Sequence, residues 1–183
     1  MGRNNLVWID LETTGLDHTQ KAILEMAVVI TDKNLKIIDP GINLVIHQPD
    51  TVLENMESWC QKQYTHSGLK EASRNSLLSL KEAEHAALRL VKKHCKKGQG
   101  LLCGNSVFLD KSFLWVHMPQ LLEYLHYRII DVSTVKELVR RWYGAKYLPK
   151  KKEKHRARED ILESIKELQR YREKVFVSPP PRS

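Results

Sequence analysis

Leu6-Val7-Trp8-Ile9-Asp10-Leu11-Glu12-Thr13-Thr14-Gly15 is an apolar run that ends on two carboxylates one residue apart, followed by small polar residues and a glycine. It reads as a buried strand whose end carries a charged site. Side chains alternate along a strand with a period of two, so Asp10 and Glu12 point to the same side. Two anions pushed together there repel unless a cation lies between them, and a divalent metal is the natural candidate. Taken alone, an Asp-x-Glu also fits a strand followed by an ordinary acidic turn. The rest of the chain separates these readings.

The 183 residues suit one domain, taken as residues 1–177, with a polar, proline-rich tail at 178–183 expected to be disordered. Hydrophobic residues make up 42% and charged residues 28%, a balance typical of globular proteins. No apolar run approaches the roughly 20 residues that span a bilayer, so no membrane partner is expected. The first strand starts within about five residues of Met1, which leaves no room for a signal or transit peptide. The expected location is the cytoplasm, and a mitochondrial form would require a longer product with a targeting segment. Cys60, Cys95 and Cys103 are odd in number and widely spaced. They suggest reduced core thiols rather than a disulfide framework.

The net charge of +8 is concentrated: Arg140 to Arg158 holds nine Lys or Arg residues opposed only by Glu153. That excess suits a polyanionic partner, although charge runs are also found in solvated loops.

Ile23 to Thr31 reads as a second strand, and Leu35 to Ile46 as a third that is interrupted at Pro40-Gly41; short links between them imply an antiparallel meander. Val52, Leu53, Met56 and Trp59 fall on one face of a short helical pattern suited to core packing. Ser79-Leu80-Lys81-Glu82 is a capping-box signature opening a helix that Gly98 closes. Leu101 to Asn105 is a short buried strand feeding a polar turn, and Asp110 begins the next helical stretch. Pro119 suits a helix start, Tyr127 to Asp131 a further strand, and Asp131 or Ser133 the cap of the helix running to Trp142. From Ala157, Ile161, Ile165 and Leu168 mark the face of a last helix, with Asp160 off that stripe. Strands first, then helices alternating with strands, imply an α/β fold in which a mixed sheet is covered by helices.

Four carboxylates therefore stand where the sheet and its helices can converge: Asp10, Glu12, Asp110 and Asp160. Hard oxygen donors without paired cysteines favour Mg2+ or Mn2+ over zinc. Two such ions about 3.5 to 4 Å apart stabilise both oxygens of an in-line phosphoryl displacement. His155, five residues before Asp160, is the side chain type best suited to take a proton from water near neutral pH. The chemistry these residues point to is phosphodiester hydrolysis.

Asp10-Leu11-Glu12-Thr13-Thr14-Gly15, the Asn105-Ser106 to Asp110 segment and His155-x-x-x-x-Asp160 together resemble the DEDDh class of 3′-to-5′ exonucleases. Within it the chain is similar to the oligoribonucleases from about Asn5 to Phe176, most closely at Gly104-Asn105-Ser106 and from His126 to Leu138. The resemblance implies an RNase H-like fold, two divalent ions held by Asp10, Glu12, Asp110 and Asp160, and His155 as general base. It implies release of 5′-mononucleotides from RNAs of two to five nucleotides, by a homodimer with no obligatory further protein partner. Tyr127 from one subunit would then pack beside a base in the other, with Arg128, Ser133 and Thr134 capping the 5′ phosphate. Leu16 and Trp59 match positions lining the nucleotide pocket, and Asn105 and Ser106 join the substrate-binding set.

Three positions depart from the family pattern. Arg158 replaces an apolar residue at the start of the last helix, Tyr64 stands where histidine is common, and Thr13 where methionine is frequent. Two other readings of the sequence are a broader 3′-to-5′ exonuclease acting on longer DNA or RNA, and an inactive nucleic-acid-binding module on a nuclease fold.

Overall fold

The computed structural model describes residues 5–149 and 156–177. His155, the lysine run at 150–152 and the tail at 178–183 lie outside the described residues.

The opening stretch is a strand, β1 (Leu6–Thr13), and the next apolar run is β2 (Ile23–Thr31). They pair antiparallel with Leu6 opposite Thr31, Asp10 opposite Ala27 and Glu12 opposite Glu25. β3 (Ile37–Val45) completes the meander on the far side of β2. β4 (Leu101–Gly104) lies parallel to β1 on its other side, and β5 (His126–Asp131) lies parallel to β4 as the edge strand. The order β3-β2-β1-β4-β5 is the expected mixed sheet.

Both faces of β1 are covered over its first half, which is why Leu6 to Ile9 are apolar without alternation. Val7 and Ile9, with Met26, Val28 and Ile30, pack against α4 (Leu80–His94), α5 (Val107–His117) and α6 (Pro119–Tyr124) through Ala87, Val91, Phe113 and Leu121. Leu6 and Trp8, with Ala27 and Val29, pack against α7 (Val132–Tyr143) and α8 (Ala157–Lys174) through Val139, Ile161, Ile165 and Tyr171. Each such fully buried side chain contributes about 1.5–3 kcal/mol. Asp10 and Glu12 share the face of Leu6 and Trp8, so the period of two carries them to the side that α8 covers.

The helix starts follow the local chemistry. Ser79 and Glu82 form the expected reciprocal capping box, Pro119 occupies the first turn of α6, and the cap of α7 is Asp131, whose side chain accepts from the Ser133 N–H. The three cysteines are buried and unpaired with one another. Among the described residues no helix is long and apolar enough to cross a membrane.

Two features differ from the sequence expectation. The stripe is split: Val52 and Leu53 lie in α1 (Asp50–Glu54), Met56 in the bend after it and Trp59 in α2 (Ser58–His66), which is followed by α3 (Leu69–Asn75), a helix that no pattern announced. The break between α1 and α2 is tied to the end of β1: the Glu57 N–H donates to the Thr14 carbonyl at 2.9 Å, and the Glu57 carboxylate accepts from the Leu16 N–H at 3.0 Å. Leu53 and Met56 are core residues beside Leu24, Tyr64 and Leu69, whereas Trp59 is exposed. Second, Pro40-Gly41 does not end β3. Its register against β2 shifts between Val28 and Ile30, a bulge in which Gly41 has φ +78° and the Asp39 carboxylate accepts the Gly41 N–H.

A Cβ on Gly41 would lie 1.6 Å from the Val28 carbonyl oxygen, whereas at Gly98, with φ +73°, it would meet nothing within 4 Å. Left-handed backbone strain of about 1–2 kcal/mol falls on alanine at either position, but only Gly41 adds a backbone collision. Gly41→Ala is therefore expected to lower the urea midpoint much further than Gly98→Ala. Equal shifts would contradict the bulge.

Candidate active site

Three of the four carboxylates predicted to converge share one cluster. Asp10 and Glu12 near the end of β1 and Asp160 in the first turn of α8 offer oxygens that all lie within 4.8 Å of one another. Asp110, in the first turn of α5, reaches over the end of the sheet and accepts the Leu11 N–H at 2.9 Å.

Burial and mutual repulsion both act on these acids. Burial pushes the Asp10 carboxyl well above the usual range, and the charges of Asp110, Glu12 and Asp160 push it further. Glu12 is raised to about 7, mainly by burial, with the Tyr64 hydroxyl opposing the shift. Asp110 is raised to about 7, again by burial, against the hydrogen bond from the Leu11 amide. Clustered carboxylates, oxygen donors throughout, are the kind of donor set a hard divalent cation takes, and a cation there is what would keep them ionised at neutral pH.

Side chains around the cluster fix its members. The Tyr64 hydroxyl donates to Glu12 Oε2 at 2.7 Å, and burial beside that carboxylate drives the phenol's own pKa far upward, so Tyr64 remains a neutral donor. Tyr64 was singled out in the sequence as a departure from the family pattern; its structural role is to hold one oxygen of Glu12. Glu25, opposite Glu12 in the sheet, adds another fully buried carboxylate to the same face. It is matched by Arg156, whose Nη2 donates to Glu25 Oε1 at 2.7 Å, and by the Ala157 N–H and Asn43 amide. Burial works to raise Glu25, but these donors outweigh it and hold it below the usual carboxylate range. The same pair ties the start of α8 to β2, one turn before Asp160. Arg158 is exposed, while Ala157 and Ile161 on either side are buried, so this departure leaves the packing of α8 intact.

Sequence reasoning did not find Glu25, although a lone charge inside Ile23-Leu24-Glu25-Met26-Ala27-Val28 was a usable signal: a strand buried on both faces tolerates a carboxylate only when it is paired.

Of the residues expected to bind substrate, Leu16 and Trp59 are 67% and 56% exposed, so neither is a core residue. Leu16 is held through its amide by Glu57, and Trp59 meets the Tyr64 ring edge-on with centroids 6.3 Å apart. Tyr127 is 71% exposed on the edge strand, stacked on His126 at 4.6 Å and with the Arg128 guanidinium 5.4 Å from its ring centre. Thr134 is exposed in the first turn of α7. Ser106 and Ser133 meet, the Ser106 N–H donating to Ser133 Oγ at 2.6 Å, and the Asn105 side chain bonds within the protein to Ser133, Ser164 and Glu167. His155 falls outside the described residues, immediately before the anchored Arg156.

A mixed sheet with helices on both faces and an acidic cluster at the end of its central strand is the arrangement of the exonuclease (RNase T) family, whose model matches residues 7–168. Solved structures with the same RNase H-like fold include exonuclease I from Methylocaldum szegediense (TM-score 0.72, 15% identity, covering 94% of this chain and 41% of that one). Another is E. coli exonuclease I in complex with an oligonucleotide (TM-score 0.71, 12% identity, 94% and 41%). Among curated relatives, a probable oligoribonuclease of Dictyostelium discoideum is 56% identical over 93% of this chain and 90% of its own length. The mitochondrial oligoribonuclease of Mus musculus is 52% identical over 93% and 73%, and the oligoribonuclease of Dichelobacter nodosus 45% identical over 97% and 98%. The chain belongs to the oligoribonuclease family.

The raised carboxyls set the pH dependence of stability. A group with a folded pKa near 7 and an unfolded value near 4 binds its proton more tightly when folded. It stabilises at low pH, and that contribution is lost as pH rises through about 7. The melting temperature of the metal-free protein is therefore expected to fall between pH 5 and pH 8, and added Mg2+ or Mn2+ to raise it most at the upper end. Asp10→Asn should flatten the metal-free profile. A melting temperature that climbs across that range without metal would contradict the reading.

Proposed function

We propose that this protein removes 5′-mononucleotides from the 3′ end of very short RNAs, dinucleotides above all, at the site formed by Asp10, Glu12, Asp110 and Asp160. The observation that carries the reading is the convergence of Asp10, Glu12 and Asp160 oxygens within 4.8 Å, in a chain 45–56% identical to oligoribonucleases. The four carboxylates would hold two divalent cations, Mg2+ or Mn2+. When bound, such a pair supplies positive charge for the attacking and leaving oxygens of an in-line displacement.

The chain's own groups do the rest. Tyr64 and the Leu11 amide keep Glu12 and Asp110 oriented, so the donor set needs little rearrangement to receive its charge. His155 takes the proton of the attacking water, and the Glu25–Arg156 pair anchors the residue next to it in sequence. Leu16 and Trp59, both exposed beside the end of β1, supply apolar surface for the bases at the 3′ end.

The limit on substrate length comes from a second copy of the chain. The edge strand β5 presents Tyr127 and Arg128 outward, and Phe108 and Trp115 on α5 are also exposed. Trp115, Pro119, Leu122, Leu125 and Tyr127 line an apolar pocket there. A homodimer through this face would bring Tyr127 against the terminal base of its partner's substrate, with Arg128, Ser133 and Thr134 on the 5′ phosphate. A longer strand would have to pass through the groups that bind its end.

The test is the release of mononucleotide from 5′-phosphorylated RNAs of two to ten nucleotides, with Mg2+ or Mn2+. The rate is expected to be highest on the dinucleotide and to decline with length. Asp10→Ala is expected to reduce it by about a thousandfold or more. Equal or faster cleavage of long strands would establish a general exonuclease, and tight RNA binding without turnover an inactive module.

A further inference from the structure

The bend between α1 and α2 is built around Glu57, a residue outside the cluster of Asp10, Glu12 and Asp160. Its N–H donates to the Thr14 carbonyl at 2.9 Å, and its carboxylate Oε1 accepts the Leu16 N–H at 3.0 Å. Glu57 stands at the N-cap of α2, yet its side chain makes no capping bond there. An N-cap side chain ordinarily satisfies an amide in the first turn of its own helix. Here the carboxylate serves the loop after β1 and not the helix.

Leu16 needs such support because its side chain is exposed, and an exposed side chain is placed by its backbone. Other bonds hold the rest of the loop. The Thr14 N–H donates to the Ala22 carbonyl and the Ala22 N–H to Thr14 Oγ1, both at 2.9 Å, which closes the neck. The Lys21 ammonium donates to the Asn55 carbonyl at 3.0 Å, and His117 Nε2 lies 3.0 Å from the His18 carbonyl oxygen. At Leu16 itself the amide is bonded to Glu57. The fit there is close, since a Cβ on Gly15 would run into the Glu57 carboxylate. Ser58 alone separates Glu57 from Trp59, the exposed indole whose ring meets Tyr64 edge-on. One residue thus stands between the two exposed apolar side chains, bonded to the first and carried at the same helix start as the second.

We propose that Glu57 is a positioning residue: its carboxylate holds the Leu16 backbone in a fixed place relative to Trp59, so that the two apolar surfaces are set before substrate arrives. This rests on the reading of Leu16 and Trp59 as the surfaces that receive the bases. A carboxylate bonded to a backbone amide makes a charge-assisted bond, roughly twice as strong as a neutral one. Without it Leu16 samples other placements, and the apparent affinity falls with the fraction of molecules in the competent one. Bound substrate restores the placement, so the loss falls on KM and not on kcat.

The test is steady-state kinetics on a 5′-phosphorylated RNA dinucleotide with Mg2+ for the wild type, Glu57→Ala, Leu16→Ala and the double variant. Glu57→Ala is expected to raise KM about three- to tenfold, with kcat within about twofold. Glu57→Gln, whose amide oxygen can accept the same N–H, should recover most of the loss. Acting through Leu16, Glu57→Ala should raise KM no further in the Leu16→Ala background, whereas a structural role elsewhere would make the two effects multiply. Multiplied effects, or an unchanged KM in a folded Glu57→Ala protein, would overturn the positioning role. A smaller rise in melting temperature on adding Mg2+ to Glu57→Ala than to the wild type would overturn it too, because Glu57 would then act on the carboxylate cluster. Glu57→Asp, one methylene too short to reach the Leu16 amide, decides if the alanine variant does not fold: its KM should rise, and an unchanged KM overturns the role. An unchanged KM in Leu16→Ala, or no turnover by the wild type, would overturn the underlying reading and the positioning role with it.

Discussion

Like charges in low dielectric are the constraint on which this structure turns. Asp10, Glu12, Asp160 and Glu25 are drawn to one end of one sheet face and Asp110 reaches it over the end of the sheet, with Glu12, Glu25 and Asp110 buried. The fold meets the difficulty in two ways. Glu25 receives a guanidinium and a backbone amide from the start of α8, which makes a structural pair of it. Glu12 and Asp110 receive the Tyr64 hydroxyl and the Leu11 amide, neutral donors both, and the carboxyls of Asp10, Glu12 and Asp110 are pushed up by burial and, at Asp10 and Glu12, by their neighbours' charges. Glu25 thus belongs to the scaffold, whereas the raised carboxyls of Asp10, Glu12 and Asp110 are what a bound cation would relieve.

The division also explains the placement of α8. Its first turn is pinned to β2 by Arg156 and Ala157, its buried stripe of Ile161 and Ile165 packs on Trp8 and Ala27, and its polar row of Ser164 and Glu167 reaches Asn105. One helix therefore fixes the Asp160 carboxylate beside Asp10 and Glu12 and, through Asn105, the turn at Ser106. Rigid elements hold such geometry more exactly than loops, and here the loops at Gly15–Leu16 and Asn105–Ser106 are themselves tied down by Glu57 and Asp131.

Much of this was legible in the sequence because it is periodic or local. The period of two placed Asp10 and Glu12 on one side, the apolar runs announced β1 and β2, and Ser79-Leu80-Lys81-Glu82 announced the start of α4. The order and types of Asp10, Glu12, Asp110 and Asp160 pointed to hard-cation chemistry before any geometry was known. What was not legible depends on long-range partners. The Glu25–Arg156 pair spans most of the chain, and the separation of α1 from α2 is set by a bond from Glu57 to Thr14 that no local pattern encodes. The continuity of β3 through Pro40-Gly41 likewise rests on a bulge against Val28 rather than on propensity. Tyr64 was visible only as a departure, and its meaning required Glu12 beside it.

The most direct measurement of the central claim is the titration of the Glu12 side-chain carboxyl by carbon-13 NMR, assigned with Glu12→Gln, in metal-free protein and with saturating Mg2+. Without metal the carboxyl should titrate near pH 7. With Mg2+ it should stay ionised down to about pH 5 or below, because the cation favours the charged form. An ordinary titration near pH 4, unchanged by Mg2+, would contradict the account of these carboxylates as a site built for a cation.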